Sequence, residues 1–216
     1  MRGLLVKDIA LMRNQMKSFA VILAAAVIMM VANDNVALPV AYVCMVFAMF
    51  GINSISYDEF DNGYSFLFTL PFKRRQYVLS KYVFSLLSVL TGAVIAFVFM
   101  VAVLAFRGEM HTLTEQIDFM IGYSAGAMVF LSILLPIHLK YGAEKSRIAL
   151  IVIAAVVVAM AFLLEKIPMN FDVFVLLVKI EHMNDALISG IVTLVCVCIV
   201  VMSYLISCRV MEKKEF

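Results

Sequence analysis

Apolar runs alternate with short polar stretches along nearly the whole chain, and six of them read as membrane helices. They cover about residues 19–34, 36–52, 83–106, 119–137, 148–164 and 186–206. A bilayer core takes roughly 20 helical residues, with about 17–25 the usual range. The third, fourth and sixth runs meet this comfortably, and the second and fifth lie at the short end. The first has only 14 consecutive apolar residues, Phe19 to Ala32, behind a basic stretch, like a signal peptide. Ala32-Asn33-Asp34 is a poor cleavage site, however, and five further apolar runs argue for retention. This helix is expected to gain length from residues before Phe19, with a tight turn at Asn33-Asp34-Asn35.

The segments between the runs have patterns of their own. Over residues 4–19, Leu5, Ile9, Met12, Met16 and Phe19 share one narrow helical arc, with Lys7, Arg13, Asn14 and Lys17 opposite. Such a helix lies in the membrane interface with its basic groups toward anionic headgroups. Residues 56–77 place three acids (Asp58, Glu59, Asp61) before an apolar, aromatic stretch that ends at Pro71 and the basic triplet Lys73-Arg74-Arg75. The acids suit the N-terminus of a short helix. Tyr64, Phe66, Leu67, Phe68 and Leu70 need a membrane or a partner to cover them. Around 165–185, Pro168 and Asn170 precede a run, Phe171 to Val178, that is too short to cross a bilayer and reads as a re-entrant or interfacial segment.

Composition excludes a soluble globule. Hydrophobic residues make up 65% and charged ones 15%, against roughly 45–50% and 25% in soluble domains. The net charge of +2 is too balanced for a nucleic-acid binder, but it is strongly polarised. With the N-terminus inside, segments 1–18, 53–82, 138–147 and 207–216 hold fourteen basic and seven acidic residues, net +7. Three basic residues (Arg107, Lys166, Lys179) and eight acidic ones remain outside, net −5. The positive-inside bias therefore predicts an even number of spans with both ends cytoplasmic. Lys7, Arg13, Lys17, Lys73, Arg74, Arg75 and Lys81 are the basic residues expected to face headgroups.

The chemistry offered is sparse. Cys44, Cys196, Cys198 and Cys208 lack metal-ligand spacing; three fall in apolar runs and the fourth just beyond one, so they read as buried thiols. Asn53 and His138 sit at span edges and read as structural, and the spans are nearly free of the charges that mark ion pathways. No P-loop or hydrolase motif is present, so any ATP hydrolysis belongs to another chain. Gly122-Tyr-Ser-Ala-Gly126 has spacing that permits close helix packing.

Three stretches carry a resemblance: the opening Met1-Arg2-Gly3-Leu4-Leu5-Val6-Lys7-Asp8; Tyr57-Asp58-Glu59 followed by Leu70-Pro71-Phe72-Lys73-Arg74-Arg75-Gln76-Tyr77-Val78-Leu79-Ser80-Lys81-Tyr82; and Tyr141-Gly142-Ala143-Glu144-Lys145-Ser146-Arg147. On these the chain resembles the small permease subunits of ABC-2 type ABC transporters, in a six-span subgroup near bacteriocin, lantibiotic and phenol-soluble-modulin exporters. Tyr64, with no Trp nearby, departs from relatives that often carry one.

The resemblance implies an all-α polytopic fold, one transmembrane domain over 1–216. It has an N-terminal elbow helix (4–18), a coupling helix (about 56–70, in the region 56–77) and an external re-entrant region (166–182). It implies that Asp58, Glu59, Asp61, Tyr64, Phe66, Leu67, Phe68 and Leu70 meet an ATPase subunit that holds ATP and Mg, while this chain binds no cofactor. A second permease, identical or sister, completes the pore in a bacterial cytoplasmic membrane. An apolar lining suits export of an amphipathic or hydrophobic cargo, such as a peptide. An importer of the same family and a non-transporting immunity or scaffold protein are the alternatives.

Overall fold

The computed structural model describes residues 2–14, 16–33, 36–60, 63–69, 72–166 and 185–214. Among them the regular structure is helical. In chain order the helices are α1 (Arg2–Asn14), α2 (Met16–Ala32), α3 (Ala37–Glu59), α4 (Gly63–Leu67), α5 (Arg74–Arg107), α6 (Leu113–Lys166) and α7 (Asp185–Lys213). A 3-10 turn, Met110–Thr112, joins α5 to α6. Non-helical backbone at Gly142 divides α6 into two arms, 113–141 and 143–166. Among the described residues all six apolar runs are helical, apart from Asn33 and Val36 at their edges. Four described helical stretches are long and apolar enough to cross a bilayer, or five if α1 and α2 form one bent span. The chain is an all-α polytopic membrane protein. Of the re-entrant expectation over 166–182, everything after Lys166 lies outside the described residues.

The expected amphipathic helix does not run unbroken to Phe19. It stops at Asn14, and the axis of α2 departs by 65°. Leu5, Met12 and Phe19 of the predicted arc still pack on one apolar core, while Ile9 is exposed and Leu4 and Asp8 are the buried positions of α1. As expected, α2 starts before Phe19, and its 17 residues span about 25 Å. A Cβ on Gly122 or Gly126 would meet no neighbouring element within 4 Å. Close packing instead occurs between α3 and α5: a Cβ on Gly92 would lie 2.7 Å from Phe47 Cγ, and one on Gly51 2.9 Å from Ser85 Cβ.

Two apolar cores stack along the helices. One gathers Leu4, Ile55, Tyr64, Leu67, Tyr77, Leu139, Cys208 and Met211. The other gathers Met30, Val36, Phe47, Phe84, Met100 and Leu104, with Leu113 and Ile117 packed on it. The first core draws on all four segments predicted to lie inside, and the second combines residues of the predicted far ends (Met30, Val36, Leu104) with Phe50 and Phe84 from the inner ends of their spans.

The two ends of α5 act alike. At one, Arg74 Nη1 donates to the carbonyls of Met211, Glu212 and Lys214 at 3.1, 2.9 and 2.8 Å. At the other, Arg107 Nη2 donates to those of Met30, Val31 and Asn33 at 2.7, 2.9 and 2.7 Å. Each guanidinium thereby satisfies the orphan carbonyls at the C-terminus of a neighbouring helix and meets the negative end of its dipole. Arg107→Ala should cost about 1–2 kcal/mol, read as a lower thermal midpoint in detergent. Arg107→Lys should recover part of it; an unchanged midpoint in the alanine variant would show that the contact contributes nothing.

Candidate functional site

The first core is capped by a buried charge cluster built from three helices. Lys7 and Asp8 come from α1, Ser54 and Asp58 from α3, and Tyr77 and Lys81 from α5. Lys81 and Asp8 have side chains 0% exposed, and Asp58 only 4%. Lys81 Nζ lies 2.9 and 3.0 Å from the Asp8 carboxylate oxygens and 2.6 Å from Asp58 Oδ2, and it donates to Ser54 Oγ at 2.5 Å. Tyr77 donates its hydroxyl to Asp58 Oδ2 at 2.9 Å. Lys7 donates to the other oxygen of Asp58 and lies 3.6 Å from Asp8. Two ammonium groups thus balance two carboxylates. Burying either partner alone would be costly, and pairing makes it tolerable.

Asp58 and Lys81 are therefore not at a partner or headgroup surface; each finds its counter-charge inside the chain. Ser56–Glu59 continue α3 instead of opening a separate helix, so the carboxylates lie at a helix C-terminus, where the dipole disfavours them. Asp58 is compensated by the two lysines. Glu59 reaches across to the break in α6 and accepts a 2.6 Å hydrogen bond from the N–H of Ala143. That N–H opens the second arm, so Glu59 caps a helix distant in sequence. At the same break His138 Nε2 lies 2.9 Å from Ser56 Oγ, and His138 Nδ1 lies 2.7 Å from Ser146 Oγ. The histidine ties α3 to both arms.

The separate helix of the predicted coupling region is α4, five residues long. Tyr64 and Leu67 are buried in the first core, while Phe66 and, just before the helix, Phe60 are each 73% exposed. Half-buried Phe68 packs edge-on against Tyr77 at 5.7 Å and lies beneath the Arg74 guanidinium, 5.8 Å from its ring centre. Tyr64 meets Tyr77 edge-on at 6.1 Å and carries the Lys214 ammonium 5.0 Å from its ring centre. Burial, with the nearby Glu59 and Asp58 charges, pushes the Tyr64 phenol pKa up. It remains neutral at physiological pH. Asp61 and Leu70 lie outside the described residues.

A cavity of about 510 Å³ opens between the end of α3 and the break in α6, lined by Ser56, Glu59, Phe60, Tyr141, Ala143, Glu144 and Lys145. Among the basic residues expected at headgroups, Arg13, Lys17, Lys73 and Arg75 are exposed, with Arg75 paired to Glu212 at 2.5 Å. Lys7 and Arg74 are half-buried and turned onto the chain itself. Sequence reasoning missed the Asp8–Lys81 pair. Its signal was a single carboxylate on the Leu4 side of a basic helix, and a lysine spaced helically with Tyr77, Val78 and Ser85. Among the described residues, no group of three His, Cys, Asp or Glu side chains is placed to hold a metal ion.

The profile of a family described as ABC-2 family transporter protein matches residues 3–212. No curated protein matches the chain.

Proposed function

The chain belongs to the ABC-2 transporter family, and on that premise we propose that it is the membrane-spanning permease subunit of a bacterial ATP-driven exporter. It works with a separate ATPase that holds ATP and Mg, and it forms a pore with a second permease, identical or sister. Six spans with both ends cytoplasmic are the reading that the six helical runs and the charge bias support. An amphipathic or hydrophobic cargo, such as a peptide of the bacteriocin, lantibiotic or phenol-soluble-modulin kind, suits the apolar helices.

The observation that carries this reading is the position of α4. It presents Phe66 outward, while Tyr64 and the adjoining Phe68 press on Tyr77, whose hydroxyl holds Asp58 in the buried cluster. A protein groove that covers Phe66 and Phe60 would desolvate two exposed aromatic rings, the kind of anchor that dominates interfaces. Movement of α4 with a closing ATPase would then reach α1 and α5 through Tyr77 and the cluster, and the second arm of α6 through Glu59. These are packed contacts that shift as rigid bodies. Glu59, Tyr64, Leu67 and Phe68 serve in this scheme as the inner side of the coupling element, and Phe66 as its outer contact.

The test separates docking from folding. Phe66→Ser removes an exposed ring and should leave the thermal midpoint of the isolated permease nearly unchanged, within about 0.5 kcal/mol. The ATPase that co-purifies with the natural permease should be lost or much reduced. Full retention of the ATPase by Phe66→Ser, and by Phe60→Ser/Phe66→Ser together, would refute the docking role. If no nucleotide-hydrolysing subunit co-purifies from native membranes, a non-transporting role is favoured instead.

A further inference from the structure

We infer that the groove between the end of the first arm of α6 and the C-terminal turn of α7 binds one anionic phospholipid, its phosphate among Lys140, Arg209, Lys213 and Lys214 and an acyl chain along the α6–α7 seam. Two cavities carry this. The first, about 500 Å³, is lined by those four cations with Ile206 and Val210, and no carboxylate lines it among the described residues. The second, about 450 Å³, runs along the seam and is lined almost wholly by apolar groups, including Ile133, Pro136, Leu194, Val195, Met202 and again Ile206. Ile206 lines both, so a basic chamber and an apolar trough adjoin at one side chain.

The dimensions and polarity fit a lipid rather than a small anion. From Ile206 to Leu194 the trough follows α7 for about 18 Å at roughly 1.5 Å per residue. One leaflet of a hydrocarbon core about 30 Å thick has nearly that depth. The basic chamber lies at the end of α7 where Arg74 and Arg75 also gather. A headgroup there leaves its chain pointing into the membrane. Arg209 and Lys213 are one helical turn apart on α7, as are Ile206 and Val210, so a single helix presents a charged and an apolar wall side by side. Lys214 donates to the Leu139 carbonyl at 2.9 Å. Burial lowers its pKa, partly offset by the Glu59 charge, so an added phosphate would favour its ammonium form. Basic pockets between transmembrane helices at this level suit anionic headgroups, and clustered Lys and Arg add attraction toward them.

The experiment is native mass spectrometry of the purified full chain released from detergent. Defined phosphatidylglycerol or phosphatidylcholine is added, and inorganic phosphate serves as a competitor. Phosphatidylglycerol should be retained at least about tenfold better than phosphatidylcholine, and Arg209→Gln/Lys213→Gln should abolish that preference. The charge-keeping swap Arg209→Lys/Lys213→Arg should preserve it, which guards against loss through misfolding. Ile206→Trp, which fills the shared wall, should weaken retention of both lipids. Equal retention of the two lipids by the natural chain, or a preference that survives the double glutamine variant, would overturn the proposal. Displacement by millimolar phosphate alone would reassign the chamber to a free anion. Loss of ATPase association with lipid retention unchanged would reassign it to a protein contact.

Discussion

Lys81→Met should be the most damaging single substitution around the first core of this protein. The side chain keeps its length and apolar stem but loses the ammonium that Asp8, Asp58 and Ser54 share. Asp8 is left without its close counter-ion, Lys7 being 3.6 Å away and partly exposed. Removing one partner of a buried pair costs about 3–5 kcal/mol, because the other charge stays buried and uncompensated. For a chain of this size that corresponds to a fall in thermal midpoint on the order of 10 °C. A thiol-reactive dye reads it as a rise above the signal of exposed Cys198 and half-buried Cys196, since the expected burial holds for Cys44 and Cys208 alone, and these become reactive on unfolding.

Adding Asp8→Asn to Lys81→Met should restore part of the loss, because the carboxylate that had to be neutralised is gone. The coupling between the two sites should therefore reach about 1 kcal/mol or more. Additive effects, or a Lys81→Met midpoint within about 2 °C of the natural one, would show that the cluster is not an energetic unit. Asp58→Asn is expected to be milder than Lys81→Met, since the amide oxygen can still accept from Tyr77 and Lys81 keeps Asp8.

That pair also marks the limit of what the chain reveals before it is folded. The helices were legible because apolar runs of bilayer length can satisfy their backbone groups in lipid only as helices. The gathering of 1–18, 53–82, 138–147 and 207–216 at one end was legible because basic residues concentrate there. Lys81 reads as one more headgroup-facing cation because its partner is 73 residues away and on a helix that looks purely interfacial. Asp58 and Glu59 read as a helix N-terminus because clustered acids favour that end of a helix. Their true partners, Lys81 and the Ala143 N–H, belong to other helices, and only tertiary packing brings them near. Phe66 and Tyr64, two residues apart, looked equivalent in the sequence, yet α4 turns one to solvent and the other into the core.

Gly142→Ala should act through the break in α6 and is the second large effect. Gly142 has φ 78° and ψ 177°, a region that side-chain-bearing residues essentially avoid and enter at a cost of about 1–3 kcal/mol. A Cβ there would also meet the Glu59 carboxylate, 2.8 Å from Cδ. Glu59 would have to move and release the Ala143 N–H, a charged hydrogen bond worth about 1.5–3 kcal/mol. Two controls separate the terms. Gly142→Asn should be as harmful as alanine, because asparagine tolerates the ordinary left-handed region but not ψ near 180°. Glu59→Ala should be less harmful in the Gly142→Ala background than alone, since the carboxylate is then already displaced.

The consequence reaches function if the break carries motion from α4. An alanine chain that folds by straightening the two arms into one helix would separate His138 from Ser146 and Glu59 from Ala143. The assembled transporter should then hydrolyse ATP at a rate close to normal while export falls by an order of magnitude or more, about 1.4 kcal/mol per tenfold. Equal losses of hydrolysis and export would place the defect in assembly. An alanine variant with natural midpoint and natural export would show that Gly142 is not a required hinge.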